Sequence, residues 1–576
     1  MSDSLINSQT YVLPADLQGA VAQELSAWQS GNKTRRLWTK DASVWTNSDE
    51  AKWLDWLNIV DEELKELEKY ESFRSDILQS DFKHVLLLGM GGSSLGPEVL
   101  AFTFGRNADF PEFHVLDSTV PAQVLAFEEK IDLTKTLFIV ASKSGSTLEP
   151  NCFKQYFYER VAEIVGRENA GRQFIAITDP GSKMQQVAER DNFRQIFYGK
   201  PQIGGRFSVL SVFGMIPATA MGIDVPEFLR RAHLMIEACR NESAENPGVI
   251  LGAILGAAFK EGRDKLTVIT SPQIFDVGAW LEQLIAESTG KNGVAIIPVD
   301  REELLAPEFY GNDRIFVYLK QVGGEETRQH EKIEALEAAG FPVIRIDLPL
   351  AINLGQEFFR WEFATAVAGA VMKINPFDQP DVESAKIEAK KITEEYEQTG
   401  DLPAETPFFE SDGIRLFTDE RNLSELDALL DGEKSLANYL QAHFSRIKAN
   451  DYFALLAYIE MNPDNFDVLS GIRHSILTEK RVATCLGFGP RFLHSTGQAY
   501  KGGANNGVFL QITSDDARDF AVPEQKFTFG VVKAAQSRGD FQVLLDRDRR
   551  ALRIHLGKDV KSGLEFLQNA LKNSLQ

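Results

Sequence analysis

The chain has 576 residues, with 61 basic and 83 acidic side chains and a formal net charge of −22. This excess of negative charge disfavours a nucleic-acid backbone or an anionic membrane as a partner, because like charges repel. One hydrophobic core rarely grows to this length, so we expect two or three domains.

Cysteine usage and the N-terminal sequence favour a cytoplasmic protein. The three cysteines, Cys152, Cys239 and Cys485, show no CxxC spacing, which speaks against disulfides and against a cysteine-based metal site. The first residues, MSDSLINSQT, lack the basic start and apolar core of a signal peptide. The longest apolar stretches are too short to cross a bilayer.

Residues 1–80 are predicted to form a helical N-terminal arm. Apolar residues recur at helical spacing between Trp53 and Leu67, and we expect this stripe to pack on the main body. Five of the seven tryptophans fall in this region: Trp28, Trp38, Trp45, Trp53 and Trp56.

Residues 81–225 alternate strand and helix patterns, which predicts the α/β class and a doubly wound parallel sheet. The first strand, 83–89, runs into the glycine-rich loop GMGGSSLGP. A dinucleotide fingerprint needs glycine five residues after Gly89, where Ser94 stands, so we do not expect NAD binding. Further strands are predicted at 114–117, 136–141 and 173–178.

The strand at 136–141 leads into a loop with the sequence SKSGST, directly before a helical pattern. Such a loop lies at the carboxyl edge of the sheet, where hydroxyls and free backbone N–H groups at a helix start suit a phosphate. The alternative is an ordinary helix cap with a solvated serine cluster. The pattern alone does not separate the two.

Residues 226–397 are predicted to form a second α/β domain, with strands at 266–270, 294–299, 315–319 and 343–346. Before this domain, Arg206 follows two glycines at a helix start, where it is well placed to contact a negatively charged group. The alternative is that it only caps the helix or bridges neighbouring groups. A helix at 279–288 places Glu287 near its core side, although a surface glutamate is the ordinary alternative.

Residues 413–576 are predicted to form an additional C-terminal α/β portion, after a polar, proline-bearing linker at 398–412. Its helices are expected at 436–460, and its strands at 482–488, 508–513 and 552–556. Apart from one histidine-bearing loop, we expect this portion to be a scaffold.

Several motifs, taken together and in order, resemble glucose-6-phosphate isomerase, a family built from two sugar-isomerase (SIS) domains. They are GMGGSSLGP, SKSGSTLEP, GGRFSVLSVFGM, AESTGKNG and INPFDQPDVESAK. The resemblance is strongest to the isomerase half of bifunctional transaldolase/glucose-6-phosphate isomerases, and HSTGQAYKGG and RIHLG extend it to the C-terminal third. The 80 residues before the first strand are too few for a transaldolase barrel of about 250 residues.

The resemblance implies an aldose–ketose isomerase that interconverts glucose 6-phosphate and fructose 6-phosphate through a cis-enediol(ate), in glycolysis and gluconeogenesis. Glu287 matches the family's catalytic base, and Arg206 matches the cation beside the enediolate oxygen. No cofactor and no metal are implied. The positions that match the substrate and phosphate contacts are Gly92, Ser93, Ser142, Lys143, Ser144, Thr147 and Gln379.

Ring opening requires groups that donate and accept protons, and Lys386 and His494 match this role. The family's histidine normally precedes the FDQ segment, but Glu357 stands there in this chain, so His494 is out of the usual order. In many members this histidine comes from a second subunit, so a homodimer is possible, although the displaced loop could serve its own chain.

A different class of function also fits the phosphate loop: a non-catalytic regulator that binds a sugar phosphate. Glu287, Arg206 and Lys386 distinguish the two, because a sensor needs no base. Isomerisation of an amino sugar phosphate or of mannose 6-phosphate is a further, weaker alternative.

Overall fold

The computed structural model describes residues 6–324 and 327–574. Three sheets follow one another along the chain, and helices pack around each of them. The predicted α/β class with parallel sheets is confirmed. Whether the three sheets correspond to the domain boundaries given above stays a prediction.

Within the described residues, the N-terminal arm contains one strand and four α-helices. They are β1 (Ser8–Val12), α1 (Ala15–Ser30), α2 (Lys33–Trp38), α3 (Ile59–Glu63) and α4 (Glu68–Gln79), with short 3-10 helices between α2 and α3. The expectation of helices alone was wrong at β1, a five-residue stretch that adds to the edge of the second sheet. The predicted aromatic packing is confirmed, since Trp56 is fully buried against Phe207 and Phe359. Residues 1–5 lie outside the described part of the chain.

The first sheet contains five parallel strands in the order β3-β2-β4-β5-β6. Its last strand, β6, was not predicted from the sequence. The elements are β2 (His84–Leu88), α5 (Leu95–Phe104), β3 (Glu112–Leu116), α6 (Pro121–Lys130), β4 (Thr136–Ala141), α7 (Leu148–Val165), α8 (Arg167–Ala170), β5 (Phe174–Thr178), α9 (Lys183–Arg190) and β6 (Gln195–Tyr198).

Strand order reverses between β2 and β4. From β2 the chain continues to β3 on one side of the sheet, and from β4 it continues to β5 on the other side. The loops that follow these two strands diverge at the carboxyl edge and leave a crevice between them. They are the glycine-rich loop and the hydroxyl-rich loop, so the topology places both sequence motifs at one opening.

The second sheet has the order β1-β10-β9-β7-β8 and is parallel except for β1. Its first parallel strand, β7, follows three helices, α10 (Val212–Ala220), α11 (Val225–Arg240) and α12 (Pro247–Lys260). The remaining elements are β7 (Lys265–Thr270), α13 (Val277–Thr289), β8 (Ile297–Asp300), β9 (Arg314–Gln321), α14 (Thr327–Ala338), β10 (Val343–Leu348), α15 (Leu354–Met372) and α16 (Pro380–Thr399). The strand expected at 294–299 begins later, because Val294 instead closes a turn with Lys291.

The third sheet has six strands in the order β11-β12-β16-β15-β13-β14. Its elements are β11 (Phe409–Ser411), β12 (Ile414–Phe417), α17 (Glu420–Leu429), α18 (Leu436–Ser445), β13 (Tyr452–Tyr458), α19 (Pro463–Lys480), β14 (Ala483–Phe488), α20 (Gly497–Gly502), β15 (Gly507–Ser514), α21 (Phe529–Asp546), β16 (Arg550–Leu556) and α22 (Val560–Ser574).

Two expectations for this C-terminal portion were wrong in part. The helical stretch expected at 436–460 ends at Ser445, and the continuous apolar run YFALLAY forms β13, a central strand buried along its whole length. The expected linker is shorter, because α16 continues to Thr399 and β11 begins at Phe409.

The C-terminal portion packs against both other sheets. Inner residues of β13, such as Ala454 and Leu456, share a core with Ile297 and Val299 of the second sheet. Phe529 on α21 lies in the core of the first sheet. The loops of the third sheet are therefore carried to the carboxyl edge of the first. No helix in the described ranges is long and apolar enough to cross a membrane.

Candidate active site

The hydroxyl-rich loop lines a cavity of about 780 Å³. Ser144, Ser146 and Thr147 border this space, and Gly145 holds the turn with φ of +67°. A Cβ at Gly145 would lie 2.1 Å from the backbone nitrogen of Met184, so a larger residue does not fit. The loop thus presents its hydroxyls to the cavity beside the first turn of α7.

Two predicted phosphate-loop residues lie beneath this surface. The buried Ser142 hydroxyl has no hydrogen-bond partner in the described part of the chain. Lys143 donates to Asp179 Oδ1 and to the Lys200 carbonyl, each at 2.8 Å. Burial lowers the pKa of Lys143, while the charge of Asp179 opposes that change. The structure therefore places the Lys143 ammonium on a carboxylate rather than in the cavity.

The glycine-rich loop is pressed between two other segments of the site. A Cβ at Gly92 would lie 2.1 Å from the carbonyl oxygen of Gly205, and one at Gly91 would lie 3.0 Å from both Gln283 Nε2 and His494 Cβ. Backbone can approach this closely only where no side chain intervenes. Gly92 and Ser93 thus lie between the segment that carries Arg206 and the one that carries His494.

Glu287 and Arg206 form a buried ion pair. Glu287 lies near the C-terminus of α13, and its Oε1 is 3.2 Å from Arg206 Nη1. Arg206 is only 2% exposed, and burial lowers its pKa, while the charge of Glu287 acts in the opposite direction. Two predicted site residues, distant in sequence, are therefore in contact.

The other donors of Arg206 are also satisfied. Its Nε donates to Ser288 Oγ at 2.7 Å, Nη1 to Gln379 Oε1 at 2.9 Å, and Nη2 to the Pro376 carbonyl at 2.7 Å. Gln379 immediately precedes α16, so its predicted place in the site agrees with this contact. The guanidinium is fixed from three directions.

Gln283 connects this pair to the histidine loop. Its Nε2 donates to Glu287 Oε2 at 3.0 Å and to the His494 carbonyl at 2.9 Å. Gln283 was not predicted to belong to the site. The available signal was its position one helical turn before Glu287, where both side chains lie on one face.

His494 lies at the end of a 3-10 helix, Arg491–His494, after strand β14. Its Nε2 is 2.9 Å from Glu149 Oε1, and the same oxygen accepts a hydrogen bond from Gln536 at 2.6 Å. Although burial raises the pKa of Glu149, the charge and hydrogen bond of His494 bring it below its usual value. Glu149 is therefore a carboxylate at neutral pH.

Lys386 and His494 border the same cavity as the hydroxyl-rich loop. Lys386 lies in the second turn of α16, is half exposed, and contacts Glu383 at 2.8 Å. An exposed pair of this kind is weak, so the ammonium can turn toward the cavity at little cost. The structure thus brings the phosphate loop, Lys386 and His494 around one space.

The family model described as Phosphoglucose isomerase matches residues 49–304. A glucose-6-phosphate isomerase of Methanocaldococcus jannaschii is 29% identical over 359 residues, which cover 56% of this chain and 85% of the relative. One of Rubrobacter xylanophilus is 30% identical over 366 residues, covering 56% and 84%. The chain belongs to the phosphoglucose isomerase family.

Among solved structures, a hypothetical protein from Thermus thermophilus has the same fold, with a TM-score of 0.57 and 24% identity. The match covers 66% of this chain and 99% of that one. Residues 49–304, the range of the phosphoglucose isomerase match, include both loops, Arg206 and Glu287. Gln379, Lys386 and His494 lie outside it, so their roles rest on geometry and on the motifs.

Glu357, at the position where many phosphoglucose isomerases have histidine, lies away from the cavity. It is fully buried on α15, and its Oε1 accepts a hydrogen bond from Asn7 Nδ2 at 2.8 Å. It helps hold the segment before β1 in place. Tyr500 and Lys501, which follow the histidine loop, are also buried, and Lys501 pairs with Asp540.

Proposed function

We propose that this chain interconverts glucose 6-phosphate and fructose 6-phosphate through a cis-enediol(ate), as a step of glycolysis and gluconeogenesis. Its membership of the phosphoglucose isomerase family supports the reaction. The observation that carries the proposal in the structure is the buried contact of Glu287 with Arg206, beside the histidine loop.

In this proposal Glu287 takes a proton from one of the two carbons and returns it to the other. Glu287 as a whole residue is 8% exposed, so little water competes for the lone pairs of its carboxylate. Gln283 holds one oxygen and Arg206 the other, which fixes the direction of attack. A carboxylate held in this way suits transfer of one proton between neighbouring carbons.

Arg206 would stabilise the negative charge that develops on the enediolate oxygen. Its donors are directed by Ser288, Gln379 and Pro376 before any substrate arrives. A cation that is already in position costs no reorganisation during the reaction, which is how fixed charges stabilise a transition state.

The phosphate would bind at the loop from Ser142 to Thr147. In the described structure the Thr147 side chain makes no capping hydrogen bond to α7, and the hydroxyls of Ser144 and Ser146 bond to each other at 2.7 Å. The Thr147 hydroxyl therefore does not cap α7, which was the alternative explanation for the hydroxyl-rich sequence. With the free backbone N–H groups of the first turn they suit an anion.

Ring opening is assigned to His494, with Lys386 on the other side of the cavity. Glu149 is positioned to stabilise the charged imidazole and to fix its orientation, because its carboxylate contacts Nε2. The histidine comes from the same chain as Glu287. We expect it to act in the site of its own chain, and the homodimer stays a prediction that sedimentation can check.

We also place the protein in the cytoplasm. The three cysteines are free and buried, which fits a reducing compartment.

The test is a coupled assay of the purified chain with fructose 6-phosphate. We expect glucose 6-phosphate to form in the absence of any added cofactor. A non-catalytic regulator would bind the sugar phosphate without turnover, but it would not need a buried base paired with an arginine. Binding of fructose 6-phosphate without product would therefore overturn the proposed function.

A further inference from the structure

We propose that His84, Glu112 and His114 form a binding site for one divalent transition-metal ion of the zinc class. The three residues lie on the first two strands of the first sheet, β2 and β3. One ligand atom from each can be chosen so that all three lie within 4.8 Å of one another.

The backbone brings these side chains together. In the parallel pair β2–β3, His84 is opposite Glu112, and His114 is opposite Leu86. Because side chains alternate along a strand, residues two apart lie on the same face of the sheet. His84, Glu112 and His114 therefore share one face, and the pairing of the two strands fixes their spacing.

One nitrogen of each imidazole at this site has no hydrogen-bond partner among the described residues. His114 is 6% exposed. Within the residues that the structure describes, neither His114 Nε2 nor His84 Nδ1 forms a hydrogen bond. Buried polar atoms are nearly always paired in folded proteins, so an orphaned pair of histidine nitrogens calls for a ligand. A metal ion is the ligand that two imidazoles and a carboxylate share.

The charges around the site are compatible with a cation. Glu112 Oε1 lies 3.7 Å from His114 Nε2 and 3.6 Å from Lys130 Nζ. The Lys130 side chain is half exposed and can move into solvent when an ion replaces it.

The donor set selects the class of ion. Two nitrogens and one carboxylate oxygen suit Zn²⁺, Co²⁺ or Ni²⁺, whereas Ca²⁺ and Mg²⁺ prefer oxygen ligands. Bonds of about 2.0–2.2 Å require small rotations of the side chains to close the trio. A neighbouring cavity of about 410 Å³, bordered by Glu112, His114 and Lys130, gives the ion an entry path and room for a water ligand.

This site is separate from the proposed reaction. His84 begins β2, so the trio lies toward the amino ends of the strands, whereas the substrate loops follow their carboxyl ends. The ion would cross-link an edge strand to its neighbour. We therefore expect it to stabilise the fold and not to take part in proton transfer.

The experiment uses the full chain, freed of metal with a chelator, and titrates it with Zn²⁺ in a calorimeter and with Co²⁺ by visible absorption. We expect one tight site per chain and a raised Tm in Zn²⁺, because a ligand that binds only the folded state stabilises it. His114→Gln and Glu112→Gln should each weaken Zn²⁺ binding at least about tenfold. The matched control is His330→Gln, since His330 also contacts a glutamate, Glu334, at 3.4 Å but belongs to no such trio among the described residues.

Far-UV circular dichroism of each variant reports whether it folds, and isomerase activity is a second check for the variants outside the proposed active site. Glu112 is partly exposed, so Glu112→Gln keeps the test valid even if loss of the buried His114 disturbs the sheet. The proposal is overturned if the wild type binds no Zn²⁺, or if folded Glu112→Gln binds it as tightly as the wild type. Loss of binding in His330→Gln or His494→Asn, with the trio intact, would equally assign the ion elsewhere.

Discussion

Glu149 Oε1 lies 2.9 Å from His494 Nε2, although the two residues are 345 positions apart in the chain. Glu149 belongs to the helix after the hydroxyl-rich loop, and His494 belongs to the C-terminal portion. The contact closes the cavity from the side of the third sheet. It also shows that the histidine loop reaches the first sheet of its own chain, which the order of motifs in the sequence left open.

The first prediction concerns the hydroxyl-rich loop. Thr147→Val combined with Ser144→Ala should weaken sugar-phosphate binding by about 2–5 kcal/mol, because both hydroxyls border the cavity and hydrogen bonds to a charged acceptor contribute about 1.5–3 kcal/mol each. Calorimetry with fructose 6-phosphate on a Glu287→Gln background avoids turnover. Thr134→Val, a hydroxyl loss before β4, is the control and should change nothing. Unchanged affinity of the double variant would place the phosphate elsewhere.

The second prediction assigns ring opening to His494. His494→Asn should slow turnover of the cyclic sugar far more than isotope exchange on an open-chain analogue, because the open chain needs no proton transfer at the ring oxygen. Equal slowing of both reactions would remove this role. Full activity of the variant would show that the HSTGQ resemblance was misleading.

The same variant tests whether the site is contained in one chain. Glu287→Gln and His494→Asn proteins, mixed after partial unfolding and refolding together, should remain inactive. Activity that returns on mixing would mean that one chain completes the site of another.

The third prediction is a pH dependence of stability that Glu149 causes. Its pKa in the folded protein is below the ordinary value of 4.5, so the ionised form favours the folded state. This contribution is present above about pH 4.5 and is lost as the pH falls through the folded pKa. Urea unfolding of wild type and Glu149→Gln should therefore differ most near neutral pH and converge in acid. A constant or widening difference toward low pH would contradict the assignment.

The fourth prediction identifies Arg491 as a positioning residue for the histidine loop. Its Nε donates to Asp117 Oδ2 at 2.8 Å and its Nη2 to Glu98 Oε1 at 2.6 Å, and Asp117 also accepts from Ser94 at 2.9 Å. Arg491→Met leaves two buried carboxylates without a cation, which costs about 3–5 kcal/mol. Chemical unfolding should show this loss.

The control for this measurement is Arg518→Met, because Arg518 forms an exposed pair with Glu129. It should change the free energy of unfolding by less than about 0.5 kcal/mol. If Arg491→Met were equally mild, the histidine loop would be held by other contacts.

Much of the fold followed from periodicity alone. A short continuous apolar run such as 136–141 favours a strand between two helical layers, and the glycine and hydroxyl loops at the ends of such strands mark the carboxyl edge. The same criterion could have identified β13, since YFALLAY is such a run, but the helical pattern before it was extended too far. β1 was not predicted, because this five-residue edge strand has no distinctive sequence pattern and is defined only by its pairing with β10.

Candidate site residues could be predicted from the sequence where the residue type itself suggests a chemical role. They could not be predicted where the role depends only on which residues the fold brings close together. Glu287 and Arg206 were chosen separately, and the structure brings them to 3.2 Å. Gln283 and Glu149 have roles that depend on His494, and a contact over hundreds of residues leaves no local signal. Lys143 was expected to contact the phosphate, but its ammonium instead donates to Asp179, 36 residues further along the chain.

The fifth prediction concerns the base. Glu287→Gln should keep sugar-phosphate binding but lower kcat by about 10²-fold to 10⁴-fold, the usual worth of a positioned acid–base group. Glu282→Gln, on the same helix, is the matched control. Burial raises the pKa of Glu282 to about 8, so glutamine imitates its protonated form and should leave turnover nearly unchanged.

The most direct test of the whole account is turnover of fructose 6-phosphate in ²H₂O, followed by measurement of deuterium at C2 of the glucose 6-phosphate formed. An enediol(ate) mechanism with one base predicts that wild type and Glu282→Gln incorporate deuterium at this carbon. In Glu287→Gln, the rate of deuterium incorporation should fall by about the same factor as kcat. Deuterium incorporation by Glu287→Gln at the wild-type rate, or no turnover by the wild type, would contradict the account.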